Sequence, residues 1–416
     1  MPEFLNLLPP DEARSKWLGQ VATPAHTVEW VPLEGACGRV AAQDILSPQA
    51  LPQFARSTVD GYAVQARDTY GAADTLPGYL SLAGEVPMGA AANLSLGPGQ
   101  CATIHTGGML PEGADSVVML EYTQTSRPGE IEIQRSVAVG ENTIAVGEDI
   151  TQGQLVLERG RLLRPADIGG LAALGILKVA VAPKPTVSIL SSGDEVVASE
   201  NTPAPGQVRD INSHTLAALV SQAGGVPRLA GIIPDDFGSL LQAARAALAQ
   251  SDMVLITAGS SASTRDMTAS VIETLGEPGV IVHGINTRPG KPTILGAVAG
   301  KAVVGLPGNP VSALVNGLLF VVPALRKLLG AKEPAAQRSI RARLTINVAS
   351  QAGREDWQPV QLRASAGELL AVPVFGKSNL IFTLANADGL IKIEPNATGA
   401  AAGDLVEVLP IGLGDL

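Results

Sequence analysis

Cysteine and histidine are scarce in this chain. Its 416 residues include two cysteines, Cys37 and Cys101, and four widely spaced histidines. Two thiols cannot build a disulfide framework or a cysteine-based zinc site, and the histidines form no metal-ligand motif. This usage is typical of a reducing compartment, so we expect a cytoplasmic protein.

Positive charge and membrane-length apolar runs are also in short supply. Lys and Arg number 29 against 39 Asp and Glu, a net charge of −10. Such a chain is a poor nucleic-acid binder. The N-terminus lacks the basic and apolar regions of a signal peptide. The most apolar segment, residues 311–325, is interrupted by Asn316 and Pro323. We therefore expect a buried helix bent at Pro323 and no membrane span.

Residues 252–275 have the pattern of a phosphate-binding loop. An apolar run at 252–257 is followed by Gly259, Ser260 and Ser261, and residues 267–275 have helical spacing. A buried strand, a Gly/Ser loop and a helix start present backbone N–H groups and hydroxyls to an anion. Asp266 adds a carboxylate that could hold a divalent metal ion against the bound phosphate.

Further anion-binding loops follow within a short distance. Arg288 and Lys291 flank a rigid Pro-Gly turn, and residues 305–312 place Asn309 as the N-cap of a helix with open N–H groups. Any one such loop can be an ordinary strand-to-helix connection in an α/β domain. Their clustering favours a bound anionic ligand, and the acidic chain indicates a small one.

The elements predict a multidomain protein of the α/β plus β class. Strand and helix patterns alternate over residues 184–330, which predicts a three-layer α/β/α domain with a mostly parallel sheet. Residues 1–50 and 140–183 are expected to form a discontinuous mixed N-terminal domain. Residues 51–139 are expected to form an inserted small β domain, and residues 338–416 a C-terminal β domain.

Carboxylates recur at the turns. Asp60 lies on an Asp-Gly turn, Asp149 in a Gly-Glu-Asp turn, and Asp194 with Glu195 follow the strand predicted at 186–190. Asp is simply favourable in turns, which is one interpretation. The other is function, because carboxylates are what binding Mg²⁺ beside a phosphate requires.

These motifs resemble those of the molybdopterin molybdenumtransferases, which include the C-terminal domain of gephyrin. The resemblance covers essentially the whole chain and keeps the family's order of motifs. Its most specific pieces are Asp-Gly-Tyr-Ala at 60–63 and Pro-Gly-Asn-Pro-Val-Ser at 307–312. Further pieces lie at 104–111, 114–119, 147–150, 191–195, 206–212 and 288–292.

The resemblance implies insertion of molybdate, or tungstate, into adenylylated molybdopterin with release of AMP. It also implies Mg²⁺, four domains per subunit and a homodimer whose active-site cleft combines both subunits, with the molybdopterin adenylyltransferase as a possible partner. The implied catalytic residues are Asp60, Thr106, Asp149, Glu195 and Asp266, with Asp266 as the metal ligand. With the anion loops, the expected ligand-binding residues are Ser192, Gly193, Gly259, Ser260, Ser261, Arg288, Lys291, Pro292, Pro307, Gly308, Asn309, Ser312 and Ser378.

The chain departs from the family pattern in two places. The loop 259–267 is one residue shorter than usual and poorer in glycine, and its Arg-Asp-x-Thr ending is similar to that of the adenylyltransferases. Where the family commonly has Arg, this chain has Pro359, so an oxyanion-binding cation is missing unless Arg354 or Arg363 replaces it. The alternatives are therefore an adenylyltransferase, whose module would match only residues 184–330, and a non-catalytic pterin-binding scaffold.

Overall fold

The computed structural model describes residues 7–23, 27–258, 262–332, 339–365 and 367–411, with the backbone alone at 262–265. The first element is the helix Pro10–Leu18. Its Trp17 is fully buried, and Trp17 Nε1 donates a hydrogen bond of 2.7 Å to the carbonyl of Gly296. The helix therefore packs on the central α/β domain.

Strand pairing joins two distant parts of the N-terminal half. Glu29–Pro32 pairs with Lys178–Val181, and Ile45–Leu46 pairs with Leu155–Leu157. These strands enclose a small core with the helix Pro165–Ala173. The remaining short elements of this half are Leu33–Gly35, and Arg56–Ser57 paired with Thr143–Ile144.

A six-stranded sheet occupies the region predicted as a small β domain. In spatial order its strands are Ser116–Met119, Gly61–Val64, Gln100–Ile104, Gly78–Glu85, Glu130–Ile133 and Thr123–Arg127. The 3-10 helices Ala66–Thr69 and Leu120–Tyr122 connect them. Buried side chains lie on both faces of this sheet.

The central domain has the predicted three layers. Its sheet has the order Val226–Ile233, Thr186–Ser192, Met253–Ala258, Lys301–Pro307, Ile294–Val298 and Pro278–His283. The first four strands are parallel to one another. Ile294–Val298 runs antiparallel to both of its neighbours, Lys301–Pro307 and Pro278–His283. Helices Asn212–Gln222, Phe237–Gln250, Ala262–Leu275, Pro310–Asn316 and Val322–Leu328 cover it. Neighbouring residues such as Ile189 and Leu190 enter the cores on opposite faces, as strand geometry requires.

The predicted apolar helix is present and is irregular. Between its two α-helical parts, residues Gly317–Val321 form a π-helical turn directly before Pro323. Proline lacks the N–H that continues an α-helix, so the irregularity falls where the sequence predicted a bend. Pro310–Leu328 is long and apolar enough to cross a membrane, but 72% of that segment is buried within the protein, as in a core helix.

The C-terminal region forms a sheet that includes one strand from the central domain. Its order is Thr287–Arg288, Glu355–Ser365, Glu368–Pro373, Ile340–Leu344, Leu405–Pro410 and Gly389–Ile393, and the strands 355–365 and 389–393 also pair. The helix Phe382–Ala385 precedes the strand at 389. Short strands pair Val348–Ala349 with Gly399–Ala400, and Val196–Val197 with Val208–Arg209. The strand at 287 fastens the two domains together.

Candidate functional site

A cleft of about 1080 Å³ lies between the central and C-terminal domains. It is lined by loops that follow the central strands and by residues 348–359 and 374–379 of the C-terminal domain. Residues predicted from the sequence that line it are Arg288, Lys291, Pro292, Pro307, Asn309, Ser312 and Ser378. The cleft is therefore where most of the expected ligand-binding residues meet.

The Arg-Pro-Gly-Lys loop is positioned by contacts beneath it. Gly290 has φ +106 and lies against the buried side chain of Asn316. Asn316 Nδ2 donates to the carbonyls of Pro289 at 3.3 Å and Ser312 at 2.8 Å. The hydroxyl of Thr293 donates to the Gly290 carbonyl at 2.8 Å. These contacts hold the ends of the loop, while Arg288 and Lys291 remain exposed.

The loop at 305–309 differs from the prediction in two respects. Asn309 is at the N-cap position, but its side chain makes no capping hydrogen bond. The N–H of Val311, expected to face an anion, donates instead to the carbonyl of Ser378 at 3.0 Å. The helix start thus joins the two walls of the cleft, because the C-terminal domain supplies the acceptor. Gly308 does not line the cleft; its carbonyl accepts from Asn212 Nδ2 at 2.8 Å.

Position 359 carries no cation, and Arg354 lines the same cleft. Pro359 and Arg354 are both lining residues, whereas Arg363 lies on the exposed end of its strand and donates to Gln361 Oε1 at 3.0 Å. Arg354 Nε donates to Asp356 at 2.9 Å. Of the two substitutes considered from the sequence, only Arg354 is placed to contact a ligand in the cleft.

Ser192 and Gly193 lie at the carboxyl edge of the central sheet. Ser191 is in register with Thr257, and Thr257 with Leu306, so residues 192–195 come close to the 305–309 loop. Ser192 Oγ donates to Asp235, and Gly193 has φ +155. Glu195 is exposed at the same edge and does not line the cleft.

A buried network of hydrogen bonds around Asp210 lies below this edge and was not predicted. The carboxylate of Asp210 accepts from Ser191 Oγ at 2.9 Å and from Ser213 Oγ and N. Ser191 Oγ also lies 3.2 Å from Thr257 Oγ1. The segment 206–212 was part of the resemblance, but its pattern carries no signal that Asp210 would join two strands and a helix.

Asp60 and Thr106 are neighbours in the small β domain. Asp60 Oδ1 accepts from the Thr106 N–H at 2.7 Å and from its hydroxyl at 3.1 Å. These hydrogen bonds hold the pKa of Asp60 below its ordinary value, and the one from the main-chain N–H has the larger effect. The nearby His105 lowers the pKa further. His105 lies 3.8 Å from Asp60 and 3.2 Å from Glu85. Neither Asp60 nor Thr106 lines the cleft of its own chain.

Asp149 and Asp266 are both exposed and lie apart from the cleft lining. The N–H of Asp149 donates to the Leu51 carbonyl at 3.0 Å, and the Asp266 carbonyl accepts from Ser270 Oγ at 2.8 Å. Gly259, Ser260 and Ser261 lie outside the described residues, so the phosphate-binding loop stays a prediction. The described residues contain no cluster of three or more His, Cys, Asp or Glu suited to a metal ion.

Family comparisons match nearly the whole chain in three segments. Residues 8–175 match the MoeA N-terminal region (domain I and II). Residues 188–327 match a probable molybdopterin binding domain, and residues 341–411 match the MoeA C-terminal region (domain IV). The cleft lies where the second and third segments meet.

Individual proteins are similar over comparable lengths. Molybdopterin molybdenumtransferase 2 of Mycobacterium tuberculosis is 36% identical over 387 residues, 91% of this chain and 94% of the relative. The molybdopterin molybdenumtransferase of Haemophilus influenzae is 33% identical over 402 residues, 96% of this chain and 98% of the relative. The crystal structure of the molybdopterin biosynthesis moeA protein from Pyrococcus horikoshii OT3 has a TM-score of 0.85 and 32% identity, covering 97% of this chain and 99% of that one.

Proposed function

Because this chain belongs to the molybdopterin molybdenumtransferase (MoeA) family of enzymes of molybdenum cofactor biosynthesis, we propose that it inserts molybdate or tungstate into adenylylated molybdopterin and releases AMP. The observation that carries the proposal is the composition of the cleft. Arg288, Lys291, Arg354 and Lys377 all line it, although the chain has a net charge of −10. Cations gathered in one cleft of an acidic protein favour a small anionic ligand.

The proposed chemistry depends on binding and positioning. Arginine and lysine side chains can hold a tetrahedral dianion by charge-assisted hydrogen bonds, and the hydroxyl of Ser378 adds a donor. Trp357 and Phe375 also line the cleft and offer aromatic faces to a pterin ring. Loss of AMP breaks a phosphoanhydride, whose transition state is stabilised chiefly by fixed positive charge. Holding the oxyanion beside the dithiolene then makes the insertion intramolecular.

We place the pterin phosphate at the carboxyl edge of the central sheet, among Ser192, Gly193, Pro307, Gly308 and Asn309. The register of the parallel strands, which sets Ala258 beside Pro307, supports this placement. We assign Gly259, Ser260 and Ser261 to the same phosphate from their Gly/Ser motif alone. Ser312, buried at the start of the apolar helix, forms the floor.

We propose a homodimer in which the small β domain of one subunit completes the cleft of the other. Asp60, Thr106 and Asp149 are exposed and lie away from the cleft of their own chain, which supports a role in a second subunit's site. Glu195 would act from the sheet edge. A monomer at micromolar concentration in analytical ultracentrifugation, with full activity, would exclude this arrangement.

Mg²⁺ fits the donors that are present. Mg²⁺ is commonly held by one or two carboxylates together with substrate phosphates rather than by a protein cage. Asp266 is exposed, and its carboxylate makes no hydrogen bond or ion pair with the part of the chain that the structure describes. It is the residue that would hold the ion, which supplies positive charge to the phosphates when bound.

The alternatives account for less of the molecule. An adenylyltransferase module would leave the N-terminal and C-terminal segments without a role, yet the C-terminal segment supplies half of the cleft. A scaffold would have no use for exposed Asp60 and Asp266 or for Lys291, whose ammonium group has no partner among the described residues.

Purified protein given adenylylated molybdopterin, Mg²⁺ and molybdate or tungstate is expected to release AMP in an oxyanion-dependent manner. AMP formation at the same rate with and without either oxyanion would contradict insertion. Formation of adenylylated pterin from ATP would favour the adenylyltransferase, and tight binding without turnover would favour the scaffold. Competition between molybdate and tungstate at equal concentration then identifies the metal.

We propose the same domain boundaries as those expected from the sequence. Pairing of residues 29–46 with 155–181 supports a discontinuous first domain. Cytoplasmic location and exchange of the pterin with the adenylyltransferase are proposed on the same basis, since the substrate is the product of that enzyme.

A further inference from the structure

Asp356 is a buried carboxylate in the wall of the cleft, with its side chain 8% exposed. Oδ1 accepts from Arg354 Nε at 2.9 Å. Oδ2 accepts from Ser350 Oγ at 2.8 Å and lies 3.6 Å from Arg288 Nη1. Burying a carboxylate is unfavourable unless it is paired and hydrogen-bonded, and here two guanidinium groups share it.

The two arginines come from different domains, and the main chain brings them together. Arg288 belongs to the strand that leaves the central domain, and it is in register with Asp356 in the C-terminal sheet. The N–H of Glu355 donates to the Asn286 carbonyl at 3.1 Å, and Asn286 Nδ2 donates to the Gly353 carbonyl at 2.6 Å. The pairing is therefore set by the domain junction before any ligand binds.

Both arginines keep donors for a ligand. Arg354 uses only Nε in its described contacts, and Arg288 approaches Asp356 through one terminal nitrogen. Lys291 and Lys377 line the same cleft, and their ammonium groups have no partner among the described residues. Four cations against the one carboxylate of Asp356 leave a local charge of +3, which suits a tetrahedral oxygen dianion.

We propose that Arg288 and Arg354, held side by side by Asp356, form a two-guanidinium clamp that binds the metal oxyanion. Asp356 is a positioning residue: it orders both side chains in advance, so the anion does not have to order them on binding. Arg354 thereby supplies the cation that Pro359 does not. The assignment of the bound anion as a metalate rests on the proposed function.

The experiment is isothermal titration of the full chain with molybdate, tungstate and inorganic phosphate, each without pterin. Arg354→Gln is expected to weaken metalate binding at least about tenfold, because a charge-assisted pair of donors is lost. Arg363→Gln is the matched control, since it removes an arginine of the same C-terminal domain that lies outside the cleft. An equal effect of both variants, or no detectable binding of either metalate by the wild type, would overturn the clamp.

The role of Asp356 is tested by a double-mutant cycle. In the Asp356→Asn background, Arg354→Gln is expected to weaken binding by no more than about threefold, because Arg354 is no longer held in place. The same loss in both backgrounds would overturn the positioning role. If Asp356→Asn does not fold, Ser350→Ala removes the hydroxyl on Oδ2 without a change of charge. Unchanged metalate binding in that variant would refute positioning.

The phosphate titration separates the two sources of a tetrahedral dianion. Tighter binding of phosphate than of either metalate, lost in Arg354→Gln, would make this a phosphate subsite and overturn the metalate assignment. AMP release by the wild type is measured in parallel. An intact clamp with no AMP release would count against the proposed function, whereas AMP release unaffected by Arg354→Gln would count against the clamp.

Discussion

Gly290 and Asn316 are in direct contact: a Cβ atom on residue 290 would lie 1.6 Å from Asn316 Nδ2. Asn316 is fully buried in the apolar helix and donates to Pro289 and Ser312. The loop that carries Arg288 and Lys291 is therefore positioned from below by a polar side chain within an otherwise apolar helix. This contact relates the stability of the central domain to the geometry of the cleft.

Gly290→Ala is expected to lower the free energy of unfolding by about 1–3 kcal/mol and to abolish metalate binding, because the loop must move off Asn316. Urea denaturation and calorimetric titration measure the two effects. Gly231→Ala is the matched control: Gly231 has φ +98 against +106 at Gly290, but open space around it. If both variants behave alike, backbone strain alone explains the result and the contact has no special role.

Thr106→Val is expected to raise the pKa of Asp60, though not above its ordinary value of 3.8, because the main-chain N–H still donates. In the wild type, the depressed pKa of Asp60 contributes stability at pH values above 3.8. This contribution is lost as the pH falls through the pKa of the folded state. Carbon-13 NMR titration of the carboxyl group measures the pKa of Asp60, with Thr103→Val as the control variant. A wild-type Asp60 that titrates at or above 3.8 would contradict the geometry.

Glu355→Gln is expected to stabilise the protein near neutral pH. Burial raises the pKa of Glu355 above 4.5, and this outweighs Lys392 and the hydrogen bond from Trp357. A raised folded pKa means that stability is lost as pH rises through it, so the gain from Gln should vanish below about pH 4. Urea denaturation at both pH values tests this. Glu394→Gln, an exposed partner of the same Lys392, should give no gain.

Asp60→Asn and Asp266→Asn are each expected to lower the rate of AMP release at least about tenfold without unfolding the protein, since each removes a charge assigned to the phosphates or the metal ion. Asp74→Asn, an exposed aspartate of the small β domain, is the control. Melting temperature and turnover are measured on the same preparations. Wild-type turnover in both variants would show that the family's residue roles do not apply here.

Strong local periodicity was sufficient to predict most elements of the central domain. The strands at 186–192 and 253–258 were predicted to within a few residues, because their apolar spacing reflects burial. The antiparallel strands Pro278–His283 and Ile294–Val298 were missed. Their pairing with each other and with residues 301–307 is not encoded in local spacing.

The chemistry of the cleft was likewise visible only in part. Arg288 and Lys291 were expected from their motif and Ser378 from the family resemblance, and all three line the cleft. The ion pairs of Asp356 with both Arg288 and Arg354 were not expected. Asp356 lies 68 positions after Arg288, and nothing in the sequence indicates that the two residues are in contact. The N–H of Val311 was expected to face an anion and instead binds the Ser378 carbonyl.

The sequence by itself determined the class of fold, the family and the kinds of groups that bind the ligand, because apolar periodicity and loop motifs are local properties of the chain. Only the tertiary structure decided which of these groups share a surface. It gathered four cations in one cleft, placed two of them on the buried carboxylate of Asp356 at the domain junction, and left Asp60 on a separate, exposed face. The physical reason is that pairing between the strands at 287 and 355 depends on the docking of two complete domains, which no short stretch of chain specifies.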